Sequence, residues 1–490
     1  MAKIVNPGPL ELAADEAARL LALATDLVLR HAEEVPDSPV APVEPYRDDI
    51  REWLADYDFR APRPAEETLP EVMDTLRRWG VHTTHPRYFG LFNPTPTWWG
   101  VAGELLAAGV NPQLAAYSHA PAAVEIERHV LRFLAERLGL PSASEASFTV
   151  GGAEANLTAV LVALTRRFAR FTEYGLAGVP GWPVFYTSAE SHLAWLKIAH
   201  LTGLGREAVR LVPVDDRHQL DPVRLRELYN KDLAAGRTPF LLIGTAGTTG
   251  GGIIDPLPEL ARLAQEWGLH FHVDAAWAGA VALSDRLRPL LAGVATADSV
   301  TVDAHKWLSA PMGAGIFFTR HHGALAETFH VSTTFMPDTE GVADPYTTSV
   351  QWSRRFAGLK VFLAMAAVGE AGFAAQVERD VELGELLAHR LAETGWWQIN
   401  HTPLPVVCVI DPEADETGVE HSRRWHTAVA EHVVRSGQGW IASLDLGGRP
   451  ALRLCVTSYR TQPHDIDQVV AVLDKARGAV NALFKHQSRS

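Results

Sequence analysis

The sequence predicts an α/β protein whose large domain contains a mostly parallel central sheet flanked by helices. Short runs rich in β-branched or aromatic residues alternate with helical stretches between residues 148 and 319, which is typical of such a sheet. With 490 residues and 47% hydrophobic content, the chain can bury a large core and form two or three domains. The predicted strands are Phe148–Val150, Val184–Thr187, Val209–Val212, Phe240–Thr245, His270–Val273, Val300–Val302 and Ile316–Thr319.

The N-terminal part is predicted to be an arm and not a domain. Residues 10–34 have the pattern of one amphipathic helix, and prolines spaced along residues 36–45 indicate a connector after it. Residues 85–92 are aromatic and irregular, as expected of chain that lines a cavity. A strong helix is predicted at Ala122–Leu138, with Gly139 as its stop, and the large domain begins near it.

The C-terminal part is predicted to be a smaller α+β domain. A long helix at residues 349–369 leads out of the large domain, and beyond it helices mix with strand-like runs that hold Cys408 and Cys455. The domain prediction is residues 1–100 for the helical arm and pocket-lining segment, 101–370 for the large domain and 371–490 for the small domain.

Composition and charge exclude several classes of partner. Lys+Arg 44 against Asp+Glu 58 gives a net charge of −14, and no basic run could follow a nucleic-acid backbone. The apolar stretch Leu20–Leu29 is too short to cross a bilayer and contains Asp26. The two cysteines have the pattern of buried hydrophobic residues and not of a disulfide. We therefore expect no nucleic acid, no membrane, no metal ligands and a cytoplasmic location.

Two motifs at predicted strand ends indicate the chemistry. Asp274 lies in HVDAAWAG (272–279) and Lys306 in VDAHKW (302–307), each directly after an apolar run. A carboxylate and a lysine at the carboxyl ends of two strands would converge on the crevice where such sheets bind ligands. Pyridoxal phosphate needs this pair, a lysine for a Schiff base and an acid to keep its ring nitrogen protonated. Taken alone, each motif is more simply interpreted as a surface lysine or as an ordinary aspartate at a strand end.

Four further stretches support a cofactor site when they are considered together with that pair. In FTVGGAEAN (148–156), the amides of Gly152 and Ala153 would face one phosphate, although a turn with nothing bound is as plausible by itself. His192 in SAESH could stack on an aromatic cofactor or act as acid or base, and the hydroxyl of Thr245 could reach a ring oxygen. Residues 329–346 have the composition of a mobile lid or of a long surface loop.

Together, five ordered motifs resemble those of the group II pyridoxal-phosphate decarboxylases, within the fold type I aminotransferase-like superfamily. They are GGAEAN, SHLAWLK, GTTGGGIIDP, HVDAAWAG and VDAHKW. The similarity runs from about residue 85 to the end of the large domain, and it includes LRLCVTSYRT near the C-terminus. The resemblance implies a fold type I enzyme with pyridoxal 5′-phosphate, assembled as a homodimer whose active site lies at the subunit interface.

The resemblance also implies a role for each matching residue. Lys306 would hold the cofactor, Asp274 would pair with its ring nitrogen, and His192 and Ala276 would cover its two faces. Because Ala153 replaces a common serine or threonine, phosphate binding there would be left to the backbone. The remaining assignments are Gly152, Ala153 and His305 near the phosphate, Thr245 near the ring hydroxyl, and Leu91, Phe92, Gln113 and Tyr117 in a neighbour's substrate pocket.

One departure from the family pattern bears on the reaction. Aromatic members carry a loop tyrosine that protonates the product after CO2 loss, and Phe335 stands at that place here. Tyr346 or His192 would then have to supply the proton. The expected activity is decarboxylation of an aromatic or hydrophobic L-amino acid. The alternatives are oxidative deamination to an aldehyde, as in plant relatives with phenylalanine here, transamination, or a cofactor-binding protein without turnover.

Overall fold

The computed structural model describes residues 10–43, 46–333 and 342–487. Its helices in this part of the chain are α1 (Ala14–Glu34), α2 (Arg47–Ala55), α3 (Ala65–Trp79), α4 (Trp98–Val110), α5 (Pro121–Arg137), α6 (Gly152–Arg167), α7 (Phe171–Tyr174), α8 (Ala194–Leu201), α9 (Pro222–Ala234), α10 (Leu257–Trp267), α11 (Ala324–Phe329), α12 (Gly358–Glu393), α13 (Pro412–Asp415), α14 (Val419–Arg435) and α15 (Pro463–Gln487). The strands are β1 (Glu145–Thr149), β2 (Trp182–Ser188), β3 (Val209–Val212), β4 (Arg237–Thr245), β5 (His270–Asp274), β6 (Ser299–Asp303), β7 (Gly315–Thr319), β8 (Trp397–Gln398), β9 (Val406–Ile410), β10 (Ala442–Leu446) and β11 (Arg449–Cys455).

The large sheet brings the ends of its strands to one edge. Its strand order is β1-β7-β6-β5-β4-β2-β3, and the neighbours among β2 to β6 pair in parallel. Strand β7 runs antiparallel to both β6 and β1, so β1 is parallel to β6. The carboxyl ends of β1, β2, β4, β5 and β6 therefore face the same crevice, which is where open α/β sheets bind ligands.

The mostly parallel sheet is confirmed, and antiparallel β7 is the exception that the sequence pattern did not reveal. Parallel neighbours need a long crossover connection, usually a helix. The loop of residues 304–314 between β6 and β7 is too short for one, so the chain turns back beside β6. This loop carries Lys306, which places the lysine at the turn itself.

Burial on both faces explains why the strands are so apolar. Strands β6 and β7 are buried throughout, and β4 and β5 are buried apart from their first residues. Helix α6 packs on β6 and β7, while α9 and α10 pack on β4 and β5. A sheet covered on both sides gives continuous apolar runs instead of alternation.

A second sheet of four antiparallel strands lies in the C-terminal part, in the order β10-β11-β9-β8. Helix α14 packs on its central strand β11. Cys408 and Cys455 are buried in β9 and β11 as free thiols. Burial raises the pKa of Cys408 to about 12, so this thiol stays protonated at neutral pH. The predicted α+β architecture of this part is confirmed.

Two predicted helix boundaries were wrong. The first helix begins at Ala14 and not at residue 10, and the helix predicted at 349–369 begins only at Gly358. The Gly358 amide donates to the buried Glu127 carboxylate at 3.1 Å, so this start is fixed by a long-range contact. Helix α12 is interrupted at Gly369, which has φ +69°, and the predicted domain boundary beside it stays a prediction.

Helix α12 is also the one helix in the described ranges with the length and composition to cross a membrane. Core helices of globular domains have the same property. Here α12 packs against α4, α5 and α15, and it carries the buried side chains of Lys360 and Asp380.

Asp380 anchors the loop that carries Lys306. Its Oδ2 accepts a hydrogen bond from Trp307 Nε1 at 2.8 Å, and its Oδ1 accepts one from Gln376 Nε2 at 2.8 Å. Burial raises the pKa of Asp380 to about 7. The residue after Lys306 is therefore tied to α12 by a carboxyl group that titrates near neutrality.

We predict that Asp380→Asn flattens the dependence of stability on pH. The folded chain holds this proton more tightly than the unfolded chain, whose aspartates titrate near pH 4. The stability of the wild type should therefore fall as the pH rises from about 4 to about 7. The asparagine keeps an acceptor for Trp307 and does not titrate. Thermal unfolding at pH 5 and pH 8 tests this, with the exposed Asp467 changed to Asn as the control. A difference between wild type and Asp380→Asn that is the same at both pH values would contradict it.

Candidate active site

Asp274 ends strand β5 and is buried, with both carboxylate oxygens engaged. Oδ1 accepts a hydrogen bond from the Ala276 amide at 3.1 Å, and Oδ2 accepts one from Asn156 Nδ2 at 2.8 Å. Asn156 lies on α6, whose first residues form the glycine turn after β1. The acid is thus fixed by the turn that follows it and by the helix that packs over the sheet.

A chain of hydrogen bonds continues from Asn156 into the sheet. Its Oδ1 lies 3.2 Å from His272 Nε2, and His272 Nδ1 lies 2.8 Å from Ser299 Oγ. Burial lowers the pKa of His272 well below its usual range, so the ring is neutral and carries one proton. That proton belongs on Nε2, because Asn156 Oδ1 can only accept, and Ser299 then donates to Nδ1. Neutral groups alone therefore orient the Asn156 amide toward Asp274.

Lys306 lies in the loop after β6, and its amino group has a charged partner. The distance from Lys306 Nζ to Asp303 Oδ2 is 2.9 Å, with Lys306 partly exposed and Asp303 buried. The Asp303 amide donates to Ala276 O at 2.7 Å, which joins the ends of β6 and β5. The structure thus brings Lys306 and Asp274 to neighbouring strand ends.

The glycine turn before α6 faces these residues closely. A Cβ added to Gly152 would lie 2.9 Å from Asp303 Oδ2 and 3.4 Å from Ala276 Cβ, so a side chain here would enter the crevice. The amides of Gly152 and Ala153 are the first of α6 and have no acceptor within the helix. These two amides are the donors that an anion would meet at this turn, with the helix dipole behind them.

His305 lies on the other side of that turn. Its Nδ1 accepts a hydrogen bond from the Ala314 amide at 3.2 Å, and its Cε1 would be 3.5 Å from a Cβ added to Gly151. Burial lowers the pKa of His305, and the neighbouring Asp303 offsets this only partly. His305 therefore offers a neutral N–H group on Nε2 to the crevice.

Thr245 ends β4 directly beside Asp274 on β5. Its hydroxyl oxygen lies 2.9 Å from Ser191 Oγ, and its amide donates to Asp255 Oδ2 at 2.8 Å. Burial raises the pKa of Asp255 to about 7. The aspartate of GTTGGGIIDP thus holds Thr245, which lies two residues before that motif, a role that the sequence did not reveal.

His192 follows Ser191 in the loop after β2 and is exposed. Its Nδ1 accepts a hydrogen bond from the Ala194 amide at 3.1 Å, which leaves Nε2 as the proton-bearing nitrogen. Since Ser191 contacts Thr245, the loop of His192 is tied to the end of β4. The imidazole is therefore presented at the same edge of the sheet as Asp274.

A buried aromatic pair packs at the turn that follows β5. The ring of Phe92 stacks on Trp277 with centroids 4.2 Å apart and planes 9° from parallel, and Trp277 follows Ala276 directly. The guanidinium of Arg453 lies 4.8 Å from the centre of the Phe92 ring. Arg453 is buried, and its Nε and Nη2 have no hydrogen-bond partner among the described residues.

The expected place of Phe92 in a neighbour's substrate pocket stays a prediction. Within its own chain the ring is buried and stacks on Trp277. Leu91 beside it is half exposed and donates its amide to the Tyr88 hydroxyl at 3.2 Å. Leu91 therefore remains available at the surface.

The predicted residues Gln113, Tyr117 and Tyr346 form a separate group. Gln113 Oε1 accepts from the Ala115 amide, and Ala115 O accepts from the Tyr346 amide, each at 3.1 Å. The Tyr117 amide donates to Asp344 Oδ1 at 2.7 Å. The segment of residues 113–117 is thus joined to the C-terminal end of the predicted lid. Phe335 lies outside the described residues, and its role stays a prediction.

Sequence reasoning missed several residues that build the site. Asn156, His272 and Asp303 stand inside motifs that were singled out, in GGAEAN, HVDAAWAG and VDAHKW. Polar residues in otherwise apolar runs were the available signal. Arg453 had a similar signal in LRLCV, since a charged residue inside a buried strand needs a partner or a ligand.

These residues fit pyridoxal phosphate. The crevice offers a lysine, a buried carboxylate held by neutral donors, a glycine turn in which a Cβ would obstruct an anion, and a threonine beside the carboxylate. Lys306 would hold the aldehyde carbon, Asp274 the ring nitrogen, and Gly152 and Ala153 the phosphate. No cluster of metal-ligating side chains is found in residues 10–43, 46–333 and 342–487.

Comparisons with known proteins agree with this fit. Residues 54–409 match the pyridoxal-dependent decarboxylase conserved domain. The aromatic-L-amino-acid decarboxylase of Bacillus atrophaeus is 26% identical over 94% of this chain and 95% of its own. Human cysteine sulfinic acid decarboxylase is 33% identical over 69% of each chain. The crystal structure of mouse CSAD superposes with a TM-score of 0.89 at 26% identity, covering 95% of this chain and 99% of that one. This chain therefore belongs to the pyridoxal-dependent decarboxylase family.

Proposed function

We propose that this pyridoxal-phosphate carboxy-lyase acts on an aromatic or hydrophobic L-amino acid and releases CO2 and the corresponding amine. The observation that carries the proposal is the stacked pair of Phe92 and Trp277, with Trp277 three residues after Asp274. Aromatic rings close to a binding site favour a flat apolar side chain through stacking and exclusion of water. The alternative is an acidic substrate, as in the name of human cysteine sulfinic acid decarboxylase.

Each residue of the site has a separate role in this reaction. Pyridoxal phosphate, when bound, supplies the electron sink for breaking the bond to the carboxyl group. Asp274 holds a proton at the ring nitrogen, and Asn156 and the Ala276 amide keep the carboxylate in place. Lys306 supplies the amino group that secures the cofactor, and the amides of Gly152 and Ala153 hold its phosphate. His192 covers one ring face from the β2 loop.

Arg453 is the feature that would suit an acidic substrate, but the ring of Phe92 packs against it. The guanidinium packs over the Phe92 ring and donates from Nη1 to Gly90 O at 3.1 Å. Arg453 is only 3% exposed, so it is closed to a substrate carboxylate. Removal of the Phe92 ring would take away one of the groups that cover it.

We predict that Phe92→Ala shifts substrate preference from aromatic to acidic amino acids. The loss of ring stacking should lower kcat/KM for an aromatic substrate by roughly tenfold, while exposure of Arg453 should raise it for glutamate or cysteine sulfinate. The measurement is amine production from a panel of L-amino acids, with Phe92→Tyr as a control that keeps the ring. A wild-type enzyme that prefers acidic substrates, or an unchanged preference in Phe92→Ala, would contradict the proposal.

The sequence of the predicted lid favours a second set of products from the same cofactor. Phe335 cannot donate a proton, so the reaction could end as oxidative deamination to an aldehyde or as transamination. Tyr346, the alternative donor, is buried, and its ring stacks on Trp352 with centroids 4.7 Å apart. Decarboxylation to the amine then depends on which group supplies the last proton.

We predict that Phe335→Tyr raises the ratio of amine to aldehyde or keto acid. A positioned general acid commonly contributes about 10²–10⁴-fold to a proton transfer. Products are quantified by chromatography with and without oxygen and with and without pyruvate, and Tyr346→Phe is the matched variant. If Tyr346→Phe abolishes amine formation while Phe335→Tyr changes nothing, Tyr346 is the donor and the assignment of Phe335 is wrong.

We also propose that the chain acts as a homodimer in the cytoplasm. Helix α4 exposes a row of large apolar side chains, of which Leu105 and Leu106 are each 53% exposed and Val110 is 74% exposed. An apolar face of this kind is typical of a subunit interface. The free, buried cysteines are in keeping with a reducing compartment.

We predict that Leu105→Arg combined with Leu106→Arg yields monomers. Two buried cations would disfavour an interface built on α4. Analytical ultracentrifugation should give 53.5 kDa for the double variant and twice that mass for wild type. The control is Val223→Arg, because Val223 is an exposed apolar residue on a different helix, α9. Monomeric wild type would refute the dimer.

A further inference from the structure

Strand β6 ends on a buried carboxylate that the reaction described above does not use. Asp303 is 2% exposed, and its Oδ2 lies 2.9 Å from Lys306 Nζ. Its Oδ1 has no hydrogen-bond partner in the part of the chain that the structure describes. A buried carboxylate with an unsatisfied oxygen is costly for folding, so its presence in the crevice calls for an explanation.

The same carboxylate borders the turn that holds the cofactor phosphate. Asp303 Oδ2 would be 2.9 Å from a Cβ on Gly152, the first residue of α6. A phosphate at the amides of Gly152 and Ala153 would therefore have a like charge beside it. In a buried crevice, solvent and salt screen this repulsion only weakly.

The ion pair with Lys306 balances the charge of Asp303. One ammonium and one carboxylate lie in direct contact and sum to zero. His305 Nε2 is 3.8 Å from Asp303 Oδ2, but its Nδ1 accepts from the Ala314 amide and burial lowers its pKa. The ring is therefore neutral, and Lys306 is the cation that compensates Asp303.

We propose that Asp303 limits the affinity of the chain for its cofactor. It holds the Lys306 amino group in an ion pair that competes with every other use of that group, and it places negative charge beside the phosphate turn. Both effects lower the affinity for the cofactor. The ion pair has to break before Lys306 can hold the cofactor.

Inorganic phosphate tests the charge effect without any bond to Lys306. The cofactor-free full-length chain is titrated by calorimetry as wild type, Asp303→Asn, Lys306→Ala and the double variant. The local charge is neutral in wild type and the double variant, positive in Asp303→Asn and negative in Lys306→Ala. We expect Asp303→Asn to bind phosphate about tenfold or more tightly than wild type, Lys306→Ala to bind it more weakly, and the double variant to lie near wild type.

Asp303→Ala separates the loss of charge from the gain of an amide donor, and it also serves if the asparagine variant fails to fold. Asp411→Asn is the matched control, because Asp411 is a buried carboxylate that caps α13 in the small domain. It should leave phosphate affinity at the wild-type value. Phosphate binding by Asp303→Asn or Asp303→Ala that is no tighter than in wild type would overturn the proposal.

Cofactor binding supplies a second readout. The affinity for pyridoxal phosphate should rise more in Asp303→Asn than the affinity for pyridoxal, which lacks the phosphate and responds only to the freed lysine. Equal or lower affinity for pyridoxal phosphate in this variant would also overturn the role of Asp303. Failure of wild type to bind pyridoxal phosphate at all would instead contradict the cofactor assignment, so the two failures are distinguishable.

Discussion

The site depends on keeping the buried carboxylate of Asp274 satisfied at the end of β5. An unmet buried polar group costs about 1–3 kcal/mol, and an unpaired charge costs more. The chain meets this requirement with the Ala276 amide and with Asn156, whose own carbonyl oxygen is engaged by neutral His272. Because these partners are neutral, the carboxylate keeps its charge available for a protonated ligand nitrogen.

The topology of the sheet brings that carboxylate together with a reactive lysine. Parallel pairing puts the loops after β2, β4 and β5 along one edge, and β1, antiparallel to β7, ends at the same edge. The reversal into antiparallel β7 then keeps the loop of Lys306 short, and Trp307 ties it to Asp380 on α12. The lysine is therefore carried by a short turn that is anchored to α12.

The sequence predicted what depends on local pattern and on motif order. Strand positions followed from apolar runs, and the resemblance gave Lys306 and Asp274 roles that fit their positions at adjacent strand ends. The direction of β7, the start of α12 at Gly358 and the stacking of Phe92 on Trp277 all depend on contacts between distant segments. Asp303 shows the same limit of prediction from sequence. Its position in VDAHKW can be read directly, but its short distance from Gly152 depends on the fold.

The most direct test of this account asks whether Lys306 carries the cofactor. Protein reconstituted with pyridoxal phosphate should absorb at about 410–430 nm, as expected of a lysine Schiff base. Borohydride should bleach that band and leave one labelled peptide, containing Lys306, in a protease digest analysed by mass spectrometry. Lys306→Ala should keep the fold and lose both the band and the label. Undiminished labelling in that variant, or a label on another lysine of the wild type, would contradict the assignment on which the site is built.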